Sequence, residues 1–134
     1  MIVRDGEGAT KLIRIEVVGA ITREDAHKTA KTIANSPLVK TAMFGNDANW
    51  GRIIMAVGSA GVEINPEIID IFLCDIPMLK SGRPRQFDEE QAAEALAEKE
   101  VNVKVDLHMG NESATVLTCD LSCDYVKINA SYRT

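Results

Sequence analysis

Aromatic residues are scarce in this sequence: one Trp, two Tyr and three Phe make up 4% of 134 residues. Few flat rings are available to stack on bases, and 15 basic against 20 acidic residues give a net charge of −5. That balance repels phosphate backbones, so nucleic-acid binding is not expected. Cysteine occurs only at 74, 119 and 123, an odd number that makes a poor disulfide framework and points to a reducing compartment. Histidine occurs only at 27 and 108. His108, Cys119 and Cys123 are conceivable metal ligands, but there is no Cys-x-x-Cys pair and a fourth ligand is missing, so no metal is expected. Cys74 and Cys119 lie in apolar runs and read as small buried hydrophobes. No apolar run reaches about 18 residues, so no membrane span is expected. Residues 1–10 carry Arg4, Asp5 and Glu7 and lack the apolar stretch of a secretory signal. A cytoplasmic location follows as the expectation.

What is present fits one ordinary globular domain over residues 1–134, with 46% hydrophobic and 26% charged residues. Residues 10–18 alternate around Ile13, Ile15 and Val17 and predict a strand ended by Gly19. Thr22 predicts a helix start, with Ala26, Ala30, Ile33 and Ala34 at helical spacing and Pro37 ending the helix. Residues 39–44 read as a short strand. Asn49 caps a second helix whose face is Trp50, Ile53, Ile54 and Val57. Residues 68–73 form an apolar strand, and 77–82 an edge-like strand and turn. Asp88 caps a third helix with Ala92, Ala95 and Leu96 inside. Val101, Val103, Val105 and Leu107 alternate, Gly110-Asn111 turns, and residues 114–121 return, which reads as a hairpin. The order implies an α+β fold, a two-layer domain with helices on one face of a mixed, largely antiparallel sheet. The first strand, within residues 1–19, stands apart and is a candidate to pair with a core domain outside this one.

No local motif assigns chemistry alone. There is no phosphate loop, no nucleophile elbow, and Gly6-Glu7-Gly8 lacks the third glycine of a dinucleotide site. Four longer strings are informative together. They are Asp5-Gly6-Glu7-Gly8-Ala9-Thr10-Lys11, Ala34-Asn35-Ser36-Pro37-Leu38-Val39-Lys40-Thr41-Ala42, Phe44-Gly45-Asn46-Asp47-Ala48-Asn49-Trp50-Gly51-Arg52, and the ending from Cys119-Asp120-Leu121 through Asp124-Tyr125-Val126-Lys127-Ile128-Asn129-Ala130 to Thr134. In this order they resemble the ornithine acetyltransferase (glutamate N-acetyltransferase) family of arginine biosynthesis over essentially the whole chain. Members of that family cut themselves in a Met-Ala-Thr-Met-Leu context, and the freed threonine of the β chain is the nucleophile. That string does not occur here, so the resemblance implies the C-terminal portion of the β chain, without a catalytic residue of its own. It further implies acetyl transfer from N2-acetylornithine to glutamate and an oligomer of α and β chains. The α chain and the N-terminal part of the β chain are the implied partners. No cofactor is implied, although acetyl-CoA serves as a substrate of bifunctional members.

The same resemblance makes Glu7, Asn129 and Thr134 substrate-binding. An acid between two glycines can approach an ammonium closely, and an asparagine offers both donors and acceptors to an amino-acid head group. The plainer readings are an exposed turn acid and a frayed terminus, the latter opposed by the apolar anchors Tyr125, Val126, Ile128 and Tyr132. Thr10 is not the nucleophile, because it is preceded by nine residues and has no free α-amine. Trp50 fits the core, and Asp47 with Arg52 could pair across a helix start. A stand-alone, non-catalytic binding module derived from the same family is the alternative.

Overall fold

The computed structural model describes residues 11–120. Six strands form one sheet in the order β4-β3-β2-β5-β1-β6. They are β1 (Leu12–Ala20), β2 (Asp70–Leu73), β3 (Ile76–Lys80), β4 (Arg83–Pro84), β5 (Glu100–Asp106) and β6 (Glu112–Cys119). Among the described residues only the β1–β5 pairing is parallel; the other four are antiparallel. The helices are α1 (Arg23–Ala34), α2 (Pro37–Phe44), α3 (Trp50–Gly58) and α4 (Glu89–Leu96). Ile13, Ile15 and Val17 of β1, the three valines of β5, and Ile71 and Leu73 of β2 point to one face. That face and the apolar stripes of all four helices form a single core. The opposite face carries Arg14, Glu16, Asn102 and Lys104 and stays polar, as a sheet covered on one side does.

Three helix starts form where local chemistry places them. Thr22 accepts from Asp25 N at 3.0 Å, Asn49 from Arg52 N at 3.2 Å, and Asp88 from Glu90 N and Gln91 N. The Arg52 guanidinium donates to Leu38 O at 2.9 Å instead of turning to Asp47.

Residues 39–44 are a correction: they are helical, not extended. Ser36 caps α2 by accepting from Val39 N, and Pro37 occupies the first turn, where its missing N–H costs nothing. The proline that stops one helix therefore starts the next, and Val39, Ala42 and Met43 fall on one buried side.

The hairpin of β5 with β6 is a second correction, because β1 lies between them. Both hydrogen-bonding edges of β1 are occupied, by β5 over Leu12 to Val18 and by β6 over Leu12 to Ala20. The first strand therefore pairs within this sheet. The connection after β5 passes over the end of β1, where Gly19 O accepts from Met109 N at 2.7 Å and Gly110 N at 2.8 Å.

Candidate functional site

At one end of the sheet lies a buried cation. Lys11 is 5% exposed, and its ammonium donates to Met43 O at 2.7 Å, to Leu96 O and to Asn46 Oδ1. An ammonium has three hydrogens and a neutral amine two, so three acceptors match the charged form. Met43 O lies in the last turn of α2 and Leu96 O ends α4, so the charge sits at the negative ends of two helices. Asn46 supplies its oxygen from a left-handed conformation at φ 55°, which asparagine tolerates better than most residues. Burial pulls the Lys11 pKa below its usual value, and Asp120 and Cys74 oppose that pull. Asp120 is fully buried; its Oδ1 accepts from Lys11 N at 3.0 Å and its own N–H donates to Lys11 O at 3.3 Å.

Residues from three of the four diagnostic strings thus meet at one point. Lys11 ends the first string, Asn46 lies in the third and Asp120 is the second residue of the last. In the sequence, Glu7 precedes Lys11 by four positions, and Asn129 and Thr134 follow Asp120. Glu7, Asn129, Thr134 and Cys123 lie outside the described residues. Sequence reasoning passed over Lys11, because a lysine at a strand start reads as solvated and two of its acceptors are backbone carbonyls. Asn46, in a turn between two helices, was the only available signal.

On the polar face beside Leu12, a depression of about 300 Å³ is lined by Arg14, Glu100, Val101, Asn102 and Leu117. Cys74 is a poor nucleophile, since burial pushes its thiol pKa up.

The imagined His108–Cys119 ligand pair does not assemble. Cys119 pairs with Leu12, while His108 follows Leu107, whose N–H donates to Val18 O; the two stand about 20 Å apart along β1. His108 Nε2 instead lies 2.8 Å from Asp70 Oδ2 and 3.5 Å from Asp106 Oδ2. Asp70, Asp106 and His108 each bring one donor atom within 4.8 Å of the others, enough to contact a metal. Lys80, however, already stands 3.3 Å from Asp70 Oδ2, and Ser81 N donates to Asp70 Oδ1 at 2.8 Å. Asp70 and Asp106 face each other across β2 and β5, a like-charge pair that Lys80 relieves.

Burial pushes the Asp70 carboxyl pKa up, but the hydrogen bonds from His108, Ser81 N and Lys80 outweigh it and hold it below the ordinary value. A depressed carboxyl contributes stability above its unfolded pKa, about 3.9, and loses it as pH falls through the folded value. Asp70→Asn should therefore cost about 1–3 kcal/mol at neutral pH and flatten the fall of stability below about pH 4. Urea unfolding from pH 7 to pH 3 checks this; parallel curves for both proteins would refute it.

A family model described as the ArgJ family matches residues 1–134. The chain is 53% identical over 133 residues to the Arginine biosynthesis bifunctional protein ArgJ of Symbiobacterium thermophilum, covering 99% of this chain and 33% of that protein. It is 54% identical over 133 residues to the protein of the same name from Geobacillus kaustophilus, at 99% and 32%. The crystal structure of Arginine biosynthesis bifunctional protein argJ from Bacillus halodurans superposes with a TM-score of 0.91 and 52% identity, covering 98% of this chain and 62% of that chain. The chain thus spans about a third of the length of the curated relatives it matches.

Proposed function

The chain belongs to the ArgJ family, and from that premise we propose that it is part of a glutamate N-acetyltransferase. This enzyme moves acetyl from N2-acetylornithine to glutamate in arginine biosynthesis. The chain contributes substrate contacts through Glu7, Asn129 and Thr134. The attacking group is the N-terminal threonine of a segment outside these 134 residues. Its hydroxyl oxygen attacks the acetyl carbonyl, its α-amine takes the hydroxyl proton, and ornithine leaves as that proton reaches the leaving nitrogen. The resulting acetyl ester is then attacked by the glutamate α-amine, releasing N-acetylglutamate and regenerating the threonine. Donors from the α chain stabilise the oxyanion. The α chain and the N-terminal part of the β chain are the partners, in an oligomer of both; acetyl-CoA is a second acetyl donor if the enzyme is bifunctional. The cytoplasm is the compartment that suits this chemistry and the odd cysteine count.

The observation that carries the reading is the 53% identity across 133 residues to proteins named for arginine biosynthesis. The test is transfer of labelled acetyl from N-acetylornithine to glutamate. The chain assembled with the segments it lacks should form N-acetylglutamate at many turnovers, and the 134-residue chain alone should form none. Failure of the assembled enzyme, or turnover by the isolated chain, would overturn the proposal.

A further inference from the structure

Resting on the reading that the enzyme is completed by segments outside this chain, we propose that those segments dock on the outer face of α2 and α3. Among the described residues five large apolar side chains are exposed, and three of them, Leu38, Phe44 and Met55, belong to these two helices. Leu38, Thr41 and Phe44 follow one another at three-residue steps and so share one stripe of α2. That stripe continues onto α3: the Arg52 guanidinium donates to Leu38 O at 2.9 Å, and Met55 lies three residues after Arg52 on the same side of the helix. Met55 is 68% exposed, so most of its side chain stands clear of the packing of this fold.

The polar groups on this face are already in use. Thr41 Oγ1 donates to Pro37 O at 2.7 Å, Ser59 Oγ donates to Ala56 O at 2.9 Å, and the Arg52 side chain is turned to Leu38 O. Lys40 is the one charged residue of α2 and Arg52 the one charged residue of α3. The other two helices show what a solvated face of this fold carries. On α1 the exposed residues include Arg23, Glu24, Lys28 and Lys31, and on α4 they include Glu89, Glu90 and Glu94. Depletion of charge together with exposed apolar side chains marks the core of an interface. The curated relatives are about three times as long as this chain, so about twice its own length is available to cover the face. In the solved Bacillus halodurans relative the match covers 62% of one polypeptide, so more than a third of that polypeptide is joined to this fold by peptide bonds. A tethered segment acts at high effective concentration, whereas a second copy must be gathered from solution against a net charge of −5 on each chain.

The experiment uses the enzyme assembled with the segments outside this chain. Photoreactive benzoylphenylalanine in place of Met55, and separately of Leu38, should form adducts on irradiation, and mass spectrometry should find the captured peptides outside these 134 residues. Adducts confined to residues 1–134, of the same chain or of a second copy, overturn the proposal, as does the absence of adducts. In the wild-type enzyme peroxide should oxidise Met55 as slowly as the buried Met43 and Met78, about tenfold or more slower than an exposed methionine. Oxidation of Met55 at the exposed rate overturns the proposal. Met55→Glu should lower the melting temperature by about 5 °C or more, because its carboxylate is trapped in an apolar contact. Leu117→Glu, on the open face of the sheet beside Arg14, should lower it by less than about 2 °C. Equal shifts would mean that the effect is not particular to α2 and α3, and would also overturn it. Should Met55→Glu fail to fold, the adducts and the oxidation rate decide, since neither adds a charge. Neither needs turnover, so expected adducts without acetyl transfer would overturn the acetyl-transfer reading and leave the docking face standing.

Discussion

Gly19→Ala should cost the fold about 3 kcal/mol or more, a large part of the 5–15 kcal/mol that holds an ordinary domain together. Gly19 sits at φ 72°, where any Cβ is strained by about 1–2 kcal/mol. Here the added atom would also stand 2.6 Å from His108 N and press on the Asp106 carboxylate. A backbone nitrogen cannot rotate away as a side chain can, so relief requires moving the connection between β5 and β6. That connection is held to Gly19 itself through the bonds from Met109 N and Gly110 N to its carbonyl. The β1–β6 register also shifts between Val17 and Ala20, so the substitution falls on the bulge that lets the chain turn over β1.

The same chemical change at Gly58 gives the control. Gly58 is the last residue of α3, and a Cβ there meets nothing within 4 Å. Alanine should leave stability unchanged or raise it by up to about 1 kcal/mol, through helix propensity and a less disordered unfolded chain. Urea unfolding midpoints of the two variants decide the matter. A Gly19→Ala midpoint close to that of Gly58→Ala would mean that the turn over β1 yields easily and that the steric account is wrong.

The contrast between Gly19 and the hairpin expectation shows where sequence stops being informative. Caps such as Thr22, Asn49 and Asp88 were legible because a cap and its N–H partner lie two or three residues apart. The alternation of Val101, Val103 and Val105 was legible because side-chain direction repeats every second residue. Strand order was not, since alternation says which face is buried and nothing about which neighbour lies alongside. Residues 100–106 and 112–119 flank a short turn, and local reasoning pairs them; a strand more than eighty residues upstream separates them. Insertion of β1 gives both strands a central partner with a matching buried face at Ile13, Ile15 and Val17. At α2, Pro37 was weighed as a stop signal alone, although Ser36-Pro37 is also a start signal. The candidate site divides in the same manner. The residues proposed to bind substrate came from strings that resemble a family, whereas the contacts of Lys11 depend on carbonyls 32 and 85 residues away that no pattern advertises.

Glu7→Gln in the assembled enzyme should lower kcat/KM for N-acetylornithine by about thirty-fold to several thousand-fold. The range follows from the roughly 2–5 kcal/mol lost when one partner of a desolvated charge pair is removed. Glutamine keeps the length of the side chain and its capacity to accept a hydrogen bond, so the loss isolates the charge. The charge matters because the free δ-ammonium of acetylornithine must shed water to be recognised, and only an anion held at contact distance offsets that cost. Glycine on either side leaves room for such an approach and contributes no competing side chain. The variant should therefore also lose discrimination. Wild-type enzyme should strongly prefer N-acetylornithine over N-acetylnorvaline, which lacks the δ-amine, and the preference should collapse in Glu7→Gln. Glu7→Asp, which keeps the charge on a shorter arm, should restore part of it. Folding should be nearly untouched, so melting temperatures of the variants should agree with wild type within a few degrees. Parallel losses for both substrates with an unchanged preference ratio would place Glu7 in the support of the site and outside contact with the ammonium. Wild-type kinetics in Glu7→Gln would remove it from the site altogether.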